Sequence, residues 1–140
     1  MAFIKSTHTF EGLKYNLDDR DRVAAAAATQ GIDTGTVTQA TNHATGVTLN
    51  KRAGVITLAA AALAATTNAQ FIVTNSTVQA DSVILVTMQD ENTTDNKQLA
   101  CAINTVAAGS FIISVVNPHS ATSTSATASK IHFLVINNDS

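Results

Sequence analysis

Val83-Ile-Leu-Val-Thr-Met88 is the run that decides the fold class, because it is apolar on both faces of an extended chain. Such a run, shorter than a typical helix and rich in branched side chains, predicts a central strand buried on both sides. Similar runs recur at short intervals on either side of it. Before it lie Thr36-Val-Thr-Gln-Ala-Thr41, Val47-Thr-Leu49, Gly54-Val-Ile-Thr-Leu58 and Phe71-Ile-Val-Thr74. After it lie Gln98 to Thr105, Phe111-Ile-Ile-Ser-Val-Val116 and Ile131-His-Phe-Leu-Val-Ile136. Turn residues separate them: Lys51-Arg52, Asn75-Ser76 and Asn117-Pro118. About eight short strands predict an all-β unit, an antiparallel jelly-roll-like β-sandwich over residues 35–140.

Two segments inside this unit are ambiguous. Ala59 to Ala65 has helix propensity but sits between two strand-like runs, so it is expected to form a turn or a single helical turn with Leu63 plugging the core. Ser120 to Ser129 has no hydrophobic anchor and reads as a loop. A weak internal echo links Ala64-Ala65, Phe71-Ile-Val and Asn75 to Ala107-Ala108, Phe111-Ile-Ile and Asn117, as expected of similar hairpin strands.

Residues 1–34 read differently, as an extended N-terminal arm followed by one short helix. Phe3, Ile4, Phe10, Leu13 and Tyr15 are apolar without a clear period, which suits an extended segment needing a partner surface. Asn16 is a good N-cap, Asp18 and Asp19 favour the positive end of a helix, and Gly31 is a natural stop. A helix is expected from about Leu17 to about Thr29.

Composition narrows the function. Of 140 residues, 24 Ala, 21 Thr, 11 Asn and 10 Ser make up nearly half, while only 13% are charged, against about 25% in a typical soluble domain. Nine of the 18 charges lie in residues 1–33, and residues 53–80 and 98–129 carry none. Those neutral stretches are expected to be buried or to face another protein. A net charge of -2 lacks the basic surface of a nucleic-acid binder. Met1 to Lys5 leads into polar residues without a secretory apolar region, and Ala53 to Ala65 is too short for a membrane span. Neither membrane nor direct nucleic acid is expected as a partner.

Chemistry-bearing residues are scattered. His8, His43, His119 and His132 lack acidic or glycine-rich surroundings, and no Gly-x-Ser-x-Gly elbow or phosphate-cradling glycine motif occurs. Cys101, in Leu99-Ala-Cys-Ala-Ile103, reads as a buried thiol in a strand. His132 is expected on the opposite face from Ile131 and Phe133. The acidic run Asp90 to Asn96 lacks the ligand spacing and glycine of a calcium loop and reads as a solvated hairpin loop. Asp18, Asp19 and Asp21 are accounted for by a helix start. The sequence therefore predicts no catalytic residue, no cofactor and no metal.

The strand series Gly35-Thr-Val-Thr-Gln-Ala-Thr41, Gly46-Val-Thr-Leu-Asn-Lys51, Gly54-Val-Ile-Thr-Leu58, Phe71-Ile-Val-Thr-Asn-Ser76, Val106 to Asn117 and Ile131 to Asn137 resembles the small β-sandwich virion proteins of tailed bacteriophages, and in size the capsid decoration, or cement, proteins. The resemblance covers about residues 35–137 and rests on the order of strands, not on an invariant motif. It implies a non-catalytic structural protein on the outer surface of the head, with the major capsid protein and other copies of itself, as dimer or trimer, for partners. Phe3, Ile4, Phe10 and Tyr15 are then the expected capsid-contact residues of the arm. The rival expectation is a tail- or head-fibre tip that binds host glycan through loops such as Asp90 to Lys97 and Ser120 to Ser129.

Overall fold

In a computed structural model of the chain, residues 32–90, 98–120 and 126–138 are described. The chain divides into two units, Met1–Asp33 and Thr34–Ser140, and every described strand belongs to the second. The expected helix at Leu17 to Thr29 and the arm residues Phe3, Ile4, Phe10 and Tyr15 lie outside the described residues.

Every run read as a strand forms one. The elements are β1 (Thr34–Thr38), β2 (Val47–Thr48), β3 (Ala53–Thr57), β4 (Asn68–Thr74), β5 (Val83–Gln89), β6 (Ala100–Ala107), β7 (Ser110–Val116) and β8 (Lys130–Ile136). No helix occurs among the described residues. Ala59 to Ala65 contains no helical turn, and Leu63 packs partly buried against the core, as its position had suggested.

The strands form two four-stranded sheets, ordered β1-β3-β8-β5 and β2-β4-β7-β6. The two orders are one order. Paired by chain succession, β1–β2, β3–β4, β7–β8 and β5–β6 occupy equivalent places, so each pair of strands crosses from one sheet to the other in the same sequence of neighbours. The unit is thus four long ribbons laid side by side and folded over along one line.

That path corrects the expectation of purely antiparallel sheets. The β1–β2 and β3–β4 ribbons both run from the first sheet to the second, so β1 pairs parallel with β3 and β2 parallel with β4. Parallel neighbours need a crossover between them, and the opposite sheet supplies it: β2 lies between β1 and β3 in the chain. The β7–β8 ribbon runs the other way and is antiparallel to both neighbours in each sheet.

The inner faces of both sheets build one core. Phe71, Val73, Phe111, Ile113 and Val115 of the second sheet meet Ile56, Ile131, Phe133 and Val135 of the first. Phe111 and Phe133 pack across the sheets with ring centroids 5.6 Å apart at 57°, a tilted arrangement that aromatic quadrupoles favour. In β6, Asn104 is an extra residue between Ile103, opposite Ile113, and Thr105, opposite Ile112. The bulge lets both Ile103 and Val106 reach the core.

Two features need glycine. Gly35 and Gly54 are register partners in the parallel pair, and a Cβ on Gly54 would come within 2.7 Å of Leu49 Cδ2 and 2.8 Å of Gly35 O. Leu49 fills the notch left by the two missing side chains and closes that end of the core. Gly109, at φ +82°, makes the two-residue turn from β6 to β7.

Connections at both ends are held by buried polar side chains. Where the ribbons fold over, Gln39 donates from Nε2 to Thr45 O at 2.9 Å and accepts from Ala59 N at Oε1, 3.3 Å away. Asn117, fully buried after β7, donates to Leu63 O and Ala64 O and accepts from His119 N. At the opposite end Asn75, fully buried after β4, donates to Lys51 O and accepts from Thr77 N. The echo seen in the sequence therefore corresponds to β4 and β7, antiparallel neighbours that each end in a buried asparagine.

Candidate binding surface

The outward face of the first sheet follows from alternation along β5 and β8. Register partners Val83 and Ile136, then Leu85 and Leu134, then Thr87 and His132, then Gln89 and Lys130 stand side by side on it. One end of this face is apolar and the other polar. Val83, Leu85 and Ile136 are 48%, 51% and 44% exposed, a large exposure for side chains of this kind. Half-buried Leu134 and Ala53 extend the apolar end toward β3. At the polar end His132 Nε2 lies 2.8 Å from Gln89 Oε1.

This placement corrects the reading of Val83 to Met88 as a central strand. β5 is an edge strand, paired with β8 alone among the described strands. Its even-numbered residues Ile84, Val86 and Met88 belong to or pack on the core, while Val83, Leu85 and Thr87 face outward. Apolar character on both faces thus marks an interior face and an uncovered one. Of the strands that lie between two others, β3, β8, β4 and β7, the last is the most deeply sealed on its inner side, where Phe111, Ile113 and Val115 are essentially inaccessible.

Two shallow depressions mark the outer faces. One, of about 280 Å³, lies on the first sheet between Thr36, Val55 and His132. The other, of about 320 Å³, lies on the second sheet beside Ile72 and Ile112, walled by Ala44 and Gly46. Neither is lined by Asp, Glu, Lys or Arg, and such a lining suits shape contact with another surface.

The residues considered for chemistry do not converge. Among the described residues no group of three His, Cys, Asp or Glu side chains could hold a metal ion. His43 is buried in the β1–β2 connection, its Nε2 has no hydrogen-bond partner, and burial pushes the imidazole below its ordinary value, favouring the neutral form. His119 Nε2 is likewise buried without a partner in the β7–β8 connection. His132 is exposed on the opposite face from Ile131 and Phe133, as alternation required. Cys101 is half-buried on the inner side of β6, and burial pushes its thiol up, away from the reactive thiolate.

Asp90 serves a structural end. Its carboxylate accepts from Leu99 N at 3.0 Å and from Ser129 Oγ at 2.7 Å, joining the β5–β6 and β7–β8 connections. Glu91 to Lys97, the remainder of the acidic run, and residues 121–125 lie outside the described residues. The outward apolar row had a signal in the sequence: both β5 and β8 are apolar at positions of either parity. No family profile, curated protein or solved structure compared with the chain gives a match.

Proposed function

We propose that the chain is a non-catalytic structural protein of a virion, a decoration protein that binds the outer surface of a tailed-bacteriophage head and cements neighbouring major capsid subunits. In this reading the two sheets are a jelly-roll-like β-sandwich used as a rigid block, and the arm residues Phe3, Ile4, Phe10 and Tyr15 lie on the capsid. The observation that carries it is the apolar end of the first sheet's outer face, where Val83, Leu85 and Ile136 stand half exposed. An exposed apolar patch on an outward sheet face favours adhesion to another protein surface over recognition of a small ligand.

A cement needs contact, repeated by symmetry, and no chemistry. A single weak contact becomes strong attachment when each copy, or each oligomer, engages several capsid subunits at once. The test is cosedimentation of purified protein with empty heads of its cognate phage, imaged to locate the bound copies. Stoichiometric occupancy at one class of symmetry axis is expected, and removal of residues 1–15 should abolish it while the β unit stays folded. Absence of binding to heads, with binding on a glycan array, would overturn this reading in favour of a fibre tip.

A further inference from the structure

The four sheet edges are not equally protected. An exposed edge presents unpaired N–H and C=O groups to any other strand, and proteins blunt such edges with brevity, polar or charged residues, proline or bulges. The β2 edge is two residues long. The β1 edge faces outward with Thr34, Thr36 and Thr38. The β6 edge is broken by the bulge at Asn104. Among the described residues the β5 edge is the least protected: Val83–Gln89 is seven residues long, uncharged, free of proline and glycine, pairs with β8 in unbroken register, and carries polar side chains only at Thr87 and Gln89.

We propose that β5 pairs antiparallel with β5 of a second copy of this chain about a twofold axis at Leu85, joining the two first sheets into one continuous eight-stranded sheet. Charge permits a copy of the same strand in this register, where half-exposed Leu85 lies beside its own counterpart. With the axis at Leu85, Val83 stands opposite Thr87, and Asp81 opposite the neutral Gln89, so no like charges meet. Odd-numbered residues oppose odd-numbered ones, so the outer faces stay on one side, as an isologous strand pair requires.

Side chains gain as well as backbone. Val86 and Met88, only partly buried where they pack against the core, become further covered. A seven-residue strand gives a contact strip about 24 Å long. With its flanking side chains it buries on the order of 500 Å² per copy, below the about 800 Å² of a standard interface. The dimer is therefore weak and depends on concentration.

The pairing stands on the edge alone, whereas its consequence rests on the capsid reading: the Val83, Leu85 and Ile136 patches of two copies become one apolar face able to bridge two capsid subunits. Sedimentation velocity of the full chain, without heads, from micromolar to millimolar concentration tests the pairing separately from head binding. A concentration-dependent dimer is expected. Leu85→Lys sets two like charges face to face and should leave only monomer, with the circular dichroism spectrum unchanged because Leu85 lies on the surface. Leu85→Lys mixed with Leu85→Glu should restore the dimer. A chain monomeric at all concentrations overturns the proposal, whether its β5 amides exchange freely or are protected by another occupant. So does a dimer indifferent to Leu85→Lys, and so does a Lys/Glu mixture that stays monomeric.

Discussion

β5 and β7 read almost alike, Val-Ile-Leu-Val-Thr-Met against Phe-Ile-Ile-Ser-Val-Val, yet they hold opposite stations in the molecule. β7 lies between β4 and β6, with its inner residues sealed in the core. β5 lies at an edge, with Val83 and Leu85 half exposed. Apolar residues on both faces of a strand thus do not mean a layer on both sides: between two strands the outer Ile112 and Val116 are half-buried, at an edge Val83 and Leu85 stand open, and only the neighbours distinguish them.

Truncating one side chain in each strand puts this contrast at greatest risk. Ile113, fully buried in β7, should cost about 2–5 kcal/mol when changed to Ala, from lost burial and the cavity left behind. Leu85→Ala in β5 should change stability by no more than about 0.5 kcal/mol, because the site is already wet. Midpoints of urea unfolding read both, and equal losses would dissolve the distinction.

The station of β7 also depends on the turn at its C-terminal end. Asn117→Ala removes the donor to Leu63 O and Ala64 O and the acceptor for His119 N. It breaks the hydrogen bonds of a fully buried side chain that ties two connections together, at a cost of about 1–3 kcal/mol. Val83 at the start of β5 stands half exposed on the outer face, so Val83→Ala should be nearly silent in the same measurement.

On the other side of the first sheet, Gly54→Ala tests whether the parallel β1–β3 pair is as closely fitted as β7 is. The new methyl group meets backbone at Gly35 O as well as Leu49 and Phe133. A loss of about 1–3 kcal/mol is expected from such overpacking, read again by urea midpoint. A neutral substitution would show that the edge at β1 gives way as easily as the surface of β5.

The smallest expected effect concerns pH. Burial lowers the pKa of His43 from the ordinary 6.5, so the folded chain holds it neutral while the unfolded chain takes up a proton more readily. The stability this neutral burial contributes is complete above about pH 6.5 and is lost progressively as pH falls below that value toward the folded pKa. Comparing urea midpoints of the native chain and His43→Ala between neutral and mildly acidic pH should show the native advantage shrinking on acidification. Leu85→Ala should run parallel to the native chain throughout.

Local pattern carried the strands. β-branched and aromatic runs broken by Asn, Gly and Pro placed all eight, and alternation alone set His132 outward and Ile131 and Phe133 inward. The candidate surface was legible only in part. Leu85 looked like core because nothing within six residues says whether a second layer covers it. Asn75 and Asn117 looked like turn residues, which they are, but their burial depends on carbonyls more than 20 and more than 50 positions away.

Where the chain extends, where it turns and how residues alternate along each strand were written in the order of the amino acids, because those properties arise between residues a few positions apart. The order of strands, the parallel pairing of β1 with β3 and β2 with β4, and the exposed position of β5 came only with the tertiary fold. Those choices are settled by which distant segments share the core and by the path of the ribbons between sheets. Alternation with a period of two is the same in a parallel or antiparallel partner, at an edge or in the middle.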